Sequence, residues 1–555
     1  MNTDKSKLSE VEHIKEKSNY LRGTLKESLL EDTTGALLGD DTALIKFHGT
    51  YQQTDRDLDA ERKKQKLEPL YSFMIRVRVP GGVASPSQYL NIDRLSDQLA
   101  NGTIKVTTRQ AFQLHGVLKR NLKTTMKKIN NYLMDSIAAC GDVNRNVMCN
   151  PNPYESPLHQ QVYEMAKLMS KHFLPRTNGY YEVWLNDDLQ YSSPKEEEEP
   201  IYGKTYLPRK FKIAFAIPPY NDTDIFSNDL GLVAIEEEGK LLGFNVYAGG
   251  GMGMTFGMAE TYPRLASFIG FTTAEKALSV AEEIIKIQRD NGNRENRKLS
   301  RLKYTVDRMG VDSFKAELHK RLGWELQPEK PYTFKQMGDR YGWVQGANGR
   351  WSITLFIEGG RIRDTENFKL KTALKEAVQI LDGDVRLTPN QNIMLANISN
   401  DAKPFVEGIL KKYNVYHSAS TSGLRLNSLA CAALPLCPLA FAEAERYLPS
   451  LVTKIEVILN DRGLQNEEIS IRMTGCPNGC ARPYLGEIGL VGRAPGKYNL
   501  YLGASFTGNR LNRLYKEMID ETAILSELQK LFSLYANERA EGEKFGDFVV
   551  RKGIV

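Results

Sequence analysis

The chain has 555 residues, 41% of them hydrophobic, enough for several cores and, at roughly 150 residues per domain, for about three or four domains. Its 74 Lys and Arg against 68 Asp and Glu leave a net charge of +6, without the dense basic stripes of a nucleic-acid binder. No apolar run nears the roughly 20 residues of a bilayer span, and the start "MNTDKSKLSEVEHIKEKSNY" is charged where a signal peptide is apolar, so a cytoplasmic protein with no membrane partner is expected.

Residues 1–70 are polar and charge-rich, ending in "QQTDRDLDAERKKQKLEP", and predict a flexible or helical arm able to dock a partner. The chain then alternates strand and helix patterns and repeats itself. "SFMIRVRVPGGVASPSQYLNIDRLSDQLANGTIKVTTRQAFQLHGVL" (72–118) returns as "WSITLFIEGGRIRDTENFKLKTALKEAVQILDGDVRLTPNQNIMLANI" (351–398). Each reads strand, Gly-Gly turn, helix, strand, turn, strand. "KFKIAFAIPPYNDTDIFSNDLGLVAIEEEGKLLGFNVYAGGG" (210–251) is answered by "EISIRMTGCPNGCARPYLGEIGLVGRAPGKYNLYLGAS" (468–505). Four matched segments in one order predict two copies of an α+β unit facing each other across a pseudo-twofold, with a ligand cleft between them.

Cations sit inside apolar patterns of the first copy: Arg76 in "MIRVRVPGG", Arg109 in "TTRQAF", Arg145 in "DVNRNV", Lys210 and Lys212 in "PRKFK". One such residue is ordinarily a surface charge; five in strand or turn contexts reverse those odds. Alternation in "KFK" sends both lysines to one face of a strand. A desolvated ammonium can give up a proton, whereas guanidinium effectively cannot. Thr107, Arg109, Gln113 and His115 fall on alternate positions of one strand, although a lone histidine there also reads as a core residue. "AGGGMG" (248–253) is not a dinucleotide fingerprint, which needs a strand before it, a helix after it and a later acidic residue; it reads as turn chemistry or close backbone approach. "QRDNGNRENRKLSRLKYT" (288–305) is either a solvated helical face or a source of cations for a ligand's carboxylates. Cys140 and Cys149 have no second pair and read as buried free thiols.

Downstream, "LACAALPLCPLAFAEAERYLP" and "TGCPNGCARP" supply Cys431, Cys437, Cys476 and Cys480, spaced C-x5-C, 38 residues, C-x3-C. Six cysteines in so long a chain are too few for a disulfide framework and suggest metal or redox use. An iron–sulfur cluster fits better than zinc, whose sites favour gaps of about two to four residues; unliganded core thiols are the third reading. Pro438 and Pro477 follow cysteines directly, as in cluster loops. Pro438 also predicts the first turn of a helix, "PLAFAEAERYL", with Cys437 at its N-terminus. Gly475 and Gly479 let the backbone curl so that amides point at sulfur.

Taken in order, "YQQTDRDLDAERKKQKLEP", "MIRVRVPGG", "TTRQAFQLHG", "DVNRNV", "LPRKFK", "ACAALPLCPLA" and "RMTGCPNGCARP" cover nearly the whole chain and resemble the sulfite and nitrite reductase family of sirohaem and iron–sulfur enzymes. The resemblance implies an α+β, internally duplicated fold: two pseudo-twofold-related ferredoxin-like halves plus two larger α/β cofactor-binding domains. It divides the chain into an N-terminal arm (1–70), paired halves (71–138 and 345–412), a first sirohaem- and substrate-binding domain (139–344) and a second domain carrying the cluster (413–555). It implies that Cys431, Cys437, Cys476 and Cys480 hold one [4Fe–4S] cluster and that Cys480 also bridges to the iron of one sirohaem. Arg76, Arg145, Lys210 and Lys212 would surround the bound anion, with Arg109, Thr107, Gln113 and His115 against the macrocycle. The implied activity is six-electron reduction of sulfite to sulfide in assimilatory sulfur metabolism, toward cysteine biosynthesis. No flavin or NADPH domain is found, and "ERKKQKLEP" is similar to the NADPH-linked branch, so electrons are expected from NADPH through a separate FAD/FMN flavoprotein alpha subunit. A ferredoxin-linked sulfite or nitrite reductase of the same fold and a zinc-stapled nucleic-acid binder are the alternatives. Two positions depart from the family pattern: Ala481, where glycine usually follows the last cysteine, and Gly141, where asparagine is expected.

Overall fold

The two Gly-Gly turns are the points at which the halves of the molecule exchange strands. The computed structural model describes residues 5–176, 182–185, 188–192, 199–415 and 420–555. Gly81 and Gly359 take φ of +60° and +55° in matching turns after strands Tyr71–Arg78 and Trp351–Leu355. Each turn opens a two-residue strand that crosses over: Val83–Ala84 pairs with Arg386 and Val385, and Arg361–Ile362 with Lys105 and Ile104. A side chain at Gly82 or Gly360 would strike the carbonyl of Leu387 or Val106, so the crossing itself demands glycine.

Two five-stranded sheets result. The first runs Thr50–Thr54, Tyr71–Arg78, Ala111–Val117, Ile104–Val106, Arg361–Ile362; the second runs Gly342–Gln345, Trp351–Leu355, Ile393–Ile398, Asp384–Leu387, Val83–Ala84. The order is the same, with the last strand exchanged. Alternation sends Phe73, Ile75, Val77, Phe112 and Leu114 into one hydrophobic cluster with Ile353, Leu355, Val385, Leu387 and Ile393 of the other half. Helices Pro86–Leu99 and Leu370–Gln379 cover it with Tyr89, Ile92, Leu95, Ala373 and Leu374. Ser85 starts the first of these helices with a capping box completed by Gln88. Because the halves share one core, the opposite face of the first sheet is left to the rest of the molecule. That face carries Arg76, paired across strands with Gln113, which is in turn paired with Lys105.

The second pair of repeats forms two further sheets, Ser267–Thr273, Lys240–Ala248, Leu230–Glu237, Ile213–Ala216 and Ser428–Ala430, Ile471–Thr474, Ile488–Ala494, Lys497–Leu502, Arg513–Ile519. In each, a short strand runs parallel to its successor, Ile213 beside Leu230 and Ile471 beside Ile488. The connecting loops each place one residue at positive φ before a 3-10 turn, Asp224 at +47° and Arg482 at +54°. These equivalent residues meet. The Arg482 guanidinium donates to the Asp224 carboxylate, which Arg472 also engages at 2.5 Å, and none of the three is more than 6% exposed. Their pairing marks the pseudo-twofold between the two α/β units.

Of residues 1–70, expected as an arm, 5–54 are built into the body, whereas 56–70 are mostly exposed. Lys15 on helix Glu10–Lys17 is buried, pairs with Glu12, donates to the Leu207 carbonyl at 2.9 Å and lies 3.7 Å from Asp142. Thr50–Thr54 is the outer strand of the first sheet, in register from Thr50 opposite Ile75 to Thr54 opposite Tyr71. The polar composition concealed this because the buried charges are paired within the fold. Among the described residues no helix is long and apolar enough to cross a membrane.

Candidate active site

Strands Ser428–Ala430 and Ile471–Thr474 run parallel, Ala430 beside Met473, so the chain leaves both at one edge and delivers Cys431 and Cys476 there. The loops that follow interlock. The amides of Phe441 and Ala442 donate to the Gly475 carbonyl at 2.8 and 3.2 Å, and that of Glu445 donates to the Cys431 carbonyl at 3.1 Å. This corrects the helix expected from Pro438: residues 438–447 are turns and bends, and the helix begins at Leu448, because the amides a helix would use serve the neighbouring cysteine loops. Gly475 is fixed by the same crossing, since a methyl there would lie 2.8 Å from the Ala433 Cβ.

Amide groups face the sulfurs. Gly475 N lies 3.4 Å from Cys431 Sγ and Asn478 Nδ2 lies 3.5 Å from Cys476 Sγ, while the amides of Leu439 and Ala440 face Cys437. Burial, and then the charge of Cys480, push the thiols of Cys431 and Cys437 up and that of Cys476 up to about 12. Each of the three thus lies within reach of the Cys480 charge, and a cationic centre would hold them as thiolates. Among the described residues no three Cys, His, Asp or Glu side chains converge as ligands of a single ion. Four thiolates with amide donors suit an iron–sulfur cluster.

Cys480 is the exposed member of the set. Its carbonyl accepts from Thr108 Oγ1 at 3.2 Å, tying the turn to the first sheet, and its charge is felt by Arg76 and Lys210. Arg76 places Nη1 3.2 Å from Cys140 Sγ and leaves Nε unpartnered. Arg145 donates through Nε to the Gly141 carbonyl at 2.9 Å. Arg109 spends both Nη groups on Asn228 Oδ1 and the Ile213 carbonyl, each at 2.7 Å, and its Nε is unpartnered. Phe211 is fully buried and hydrogen-bonds to the backbone of Val143 and Arg145, so Lys210 and Lys212 emerge on the opposite side. Burial, then Arg209, pulls Lys210 down to about 7; burial, then Lys210, pulls Lys212 well below the usual lysine range. Arg76, Arg109, Arg145, Lys210 and Lys212 thus form one cation cluster bordered by Cys480. An anion entering it relieves both the repulsion and the desolvation.

The remaining expected residues lie further back. Thr107 and Arg109 lie in the turn between strands Ile104–Val106 and Ala111–Val117, not on one strand with Gln113 and His115 as expected, because Thr107 Oγ1 accepts from the amides of Arg109 and Ala111, both at 3.2 Å. Gln113 lies between Arg76 and Lys105. His115 is 1% exposed, with Nδ1 3.2 Å from Gln53 Oε1; burial, then Arg361, keeps it neutral beside the buried pairing of Glu445 with Lys105 and Arg361. Cys140 and Cys149 are buried.

The sequence reading missed Lys46 and Tyr51, which the N-terminal segment brings among Arg76, Arg145, Arg209 and Cys140. In the charged stretch 288–305, expected as a solvated face or a source of cations for a ligand, Arg297 pairs instead with Asp142 at 2.7 Å, Arg301 with Asp229 at 2.8 Å, and Lys303 donates to the carbonyls of Gly251 and Gly253 at 3.2 and 2.7 Å. The glycine run so pinned packs on the cysteine turn, where Met254 N donates to the Pro477 carbonyl at 2.9 Å and a methyl at Gly479 would lie 2.7 Å from Met252 O. Gly141 takes φ of +89°, and a methyl there would lie 2.7 Å from the Phe47 ring, so the N-terminal segment excludes the expected asparagine. Ala481 is fully buried.

A four-cysteine loop pair facing unneutralised cations, on a twice-repeated scaffold, defines a redox protein that handles anions. Family comparison agrees: the nitrite/sulfite reductase ferredoxin-like half domain matches twice, at residues 65–132 and 344–413, and the nitrite and sulphite reductase 4Fe-4S domain matches at 164–326. The chain belongs to the nitrite and sulfite reductase family. It is 59% identical over 547 residues to the sulfite reductase [NADPH] hemoprotein beta-component of Anoxybacillus flavithermus, and 57% over 547 residues to the protein of that name from Bacillus subtilis. Each alignment spans 99% of this chain and 96% of the relative. Among solved structures, the Mycobacterium tuberculosis NirA protein shares the fold, with a TM-score of 0.79 at 21% identity over 98% of this chain and 96% of that one.

Proposed function

We propose that this chain is the sirohaem and [4Fe–4S] subunit of an assimilatory sulfite reductase, reducing sulfite to sulfide with six electrons supplied by a separate NADPH-oxidising flavoprotein in the cytoplasm. One observation carries the reading. The exposed member of the cysteine set, Cys480, borders Arg76, Lys210 and Lys212, and neither lysine has a hydrogen-bond or ion-pair partner among the described residues. The name of these relatives, sulfite reductase [NADPH] hemoprotein beta-component, supports the same activity.

In this reading Cys431, Cys437, Cys476 and Cys480 would hold the cluster, and Arg109, Thr107, Gln113 and His115 would help hold the sirohaem beside it. When bound, the two groups would supply electron delivery and redox-active iron. The chain's own residues do the rest. Arg76 and Arg145 hold sulfite oxygens through charge-assisted hydrogen bonds. Lys210, brought to about 7, is matched to proton donation near neutral pH, and Lys212, lowered by burial and then by Lys210, is a second proton donor once an anion sits beside it. Three S–O bonds break, six electrons enter, and two protons leave with each oxygen as water. The donor is assigned to the face around residues 55–68, where Arg56 Nη1 donates to the carbonyls of Ala440 at 2.6 Å and Cys437 at 3.3 Å beside the cluster loops.

The test is sulfide release from sulfite by the purified chain mixed with flavoprotein and NADPH. A Lys210→Met protein with an unchanged cofactor spectrum should turn over about 10²-fold more slowly, the scale of losing one preorganised donor. Turnover equal to that of the unsubstituted chain, or activity with reduced ferredoxin alone, overturns the reading.

A further inference from the structure

The duplication that builds the active site also builds its image. Gly81 and Gly359 occupy equivalent turns, and counting back from them puts Thr354 where Arg76 stands in the other half. The cross-strand registers agree, since Arg76 faces Gln113 and Thr354 faces Met394. Tyr51 faces Met74 on the outer strand of one sheet as Val344 faces Ser352 on the other. Equivalence of Asp224 with Arg482 places Asp222 at the position of Cys480. Val344, Ser352, Thr354, Met394 and Asp222 all line a single cavity of about 30 Å³.

The image has lost its positive charge. Threonine replaces Arg76, Asn390 replaces Arg109 and a carboxylate replaces the thiol. The charged residues lining the cavity are Glu155, Asp222, Asp339 and Arg340, and Arg340 is already paired with Glu155. Two buried acceptors are unpartnered. Asp222 is 5% exposed, its Oδ2 accepts from Asn150 at 2.8 Å, and its Oδ1 has no partner; Asn152 is 2% exposed and its Oδ1 has none. Asp339 is held by Thr388, Asn390 and Asn392 at 2.5, 2.8 and 2.8 Å. A cavity of this size admits one ion or one water, and oxygen donors without sulfur or imidazole select a hard cation.

We propose that this cavity is a structural site for one hard cation of the sodium or calcium class, ligated by Asp222 Oδ1 and Asn152 Oδ1 and charge-balanced by Asp339. Among the described residues no three Cys, His, Asp or Glu side chains converge there as ligands, so the proposed shell requires water. The site connects to the catalytic side. Asn390 Nδ2 donates to Asp339 Oδ1 and to the Asp222 carbonyl at 2.8 and 3.0 Å, and Asn390 Oδ1 accepts from Arg482 at 3.4 Å, two residues beyond Cys480. The ion braces the turn that carries the open thiol.

The purified full-length chain, stripped with EDTA and desalted, is melted with CaCl2, NaCl or MgCl2 added singly, and its metal content is measured before stripping. One calcium or sodium per chain before stripping, or a Tm rise of about 2 °C or more on adding CaCl2 or NaCl, supports the site and identifies the ion. Asp222→Asn keeps the shape and should abolish the rise; Asn152→Asp, which adds a charged ligand, should tighten calcium binding about 10-fold and serves if Asp222→Asn fails to fold. No stoichiometric metal together with no rise in any salt, or an undiminished rise in Asp222→Asn, overturns the proposal.

Discussion

Replacing Asp224 by asparagine tests whether the ion pair on the pseudo-twofold holds the two α/β units together. Asp224 is 1% exposed, and its carboxylate lies between Arg472 at 2.5 Å and the Arg482 guanidinium. Burial alone would raise its pKa; the two guanidiniums outweigh burial and hold it below the usual carboxylate range. Asparagine still accepts hydrogen bonds but leaves two buried cations facing each other. Removing one partner of a buried pair costs about 3–5 kcal/mol, a large share of the roughly 5–15 kcal/mol that stabilises a domain. The damage should centre on the Cys480 turn, because Arg482 also donates to the carbonyls of Thr108 at 3.0 Å and Pro389 at 3.1 Å and so ties that turn to both sheets. Urea unfolding followed by circular dichroism should show a loss of about 4 kcal/mol, with less than one cluster per chain by iron analysis. Adding Arg482→Gln removes one of the stranded cations, so the double variant should be more stable than the sum of single losses by about 1 kcal/mol or more. A loss under about 1 kcal/mol, with additive effects, refutes the reasoning.

Two further outcomes follow from buried groups near the cluster domain. Glu487 is fully buried, accepts from the amides of Gly546 at 2.8 Å and Ser470 at 2.9 Å, and is pushed up to about 7 by burial. The folded state therefore holds its proton more tightly than the unfolded one. Its contribution is complete below about pH 4.5 and is lost as pH rises through about 7, roughly 3 kcal/mol at 1.36 kcal/mol per unit. Glu487→Gln should flatten stability between those pH values, and an unchanged slope in urea midpoints would count against it. Gly475→Ala crowds the Ala442 carbonyl and the Ala433 Cβ, at about 1–3 kcal/mol for overpacking, and should lower iron per chain; full iron content at unchanged stability would contradict the crossing described for these loops.

What the sequence disclosed depended on whether a residue's partner lay nearby in the chain. The Gly-Gly turns, the alternation of Phe73, Ile75 and Val77, the cysteine spacing and the "KFK" alternation are local signals, and each corresponds to the element or face observed. The helix predicted from Pro438 failed because its amides bond to Gly475, a residue more than thirty positions away. Strand Thr50–Thr54 was hidden because "TYQQT" has neither a full apolar alternation nor a charge-free run, and is held as a strand by its pairing with Tyr71–Arg78. Lys46 and Tyr51 join the cation cluster only through that pairing. The stretch 288–305 was ambiguous because Arg297 and Arg301 find their carboxylates on Asp142 and Asp229, remote in sequence.

The duplication also explains why only one of two equivalent positions carries the open thiol. Residues on a twofold axis meet their own equivalents, so an unmodified repeat would set like against like there, two carboxylates or two guanidiniums buried in contact, which low dielectric makes prohibitive. Asp224 opposite Arg482 escapes this by giving one copy the negative and the other the positive member. Once the axis is polarised, the neighbouring positions lie in different fields. Cys480 stands two residues before the cationic member and faces Arg76 and Lys210, whereas Asp222 stands two residues before the anionic member and faces Asp339. The first arrangement attracts an anion and the second a cation, and neither can become the other without reversing the pair between them. The asymmetry of the two sites is thus a requirement of burying their shared axis.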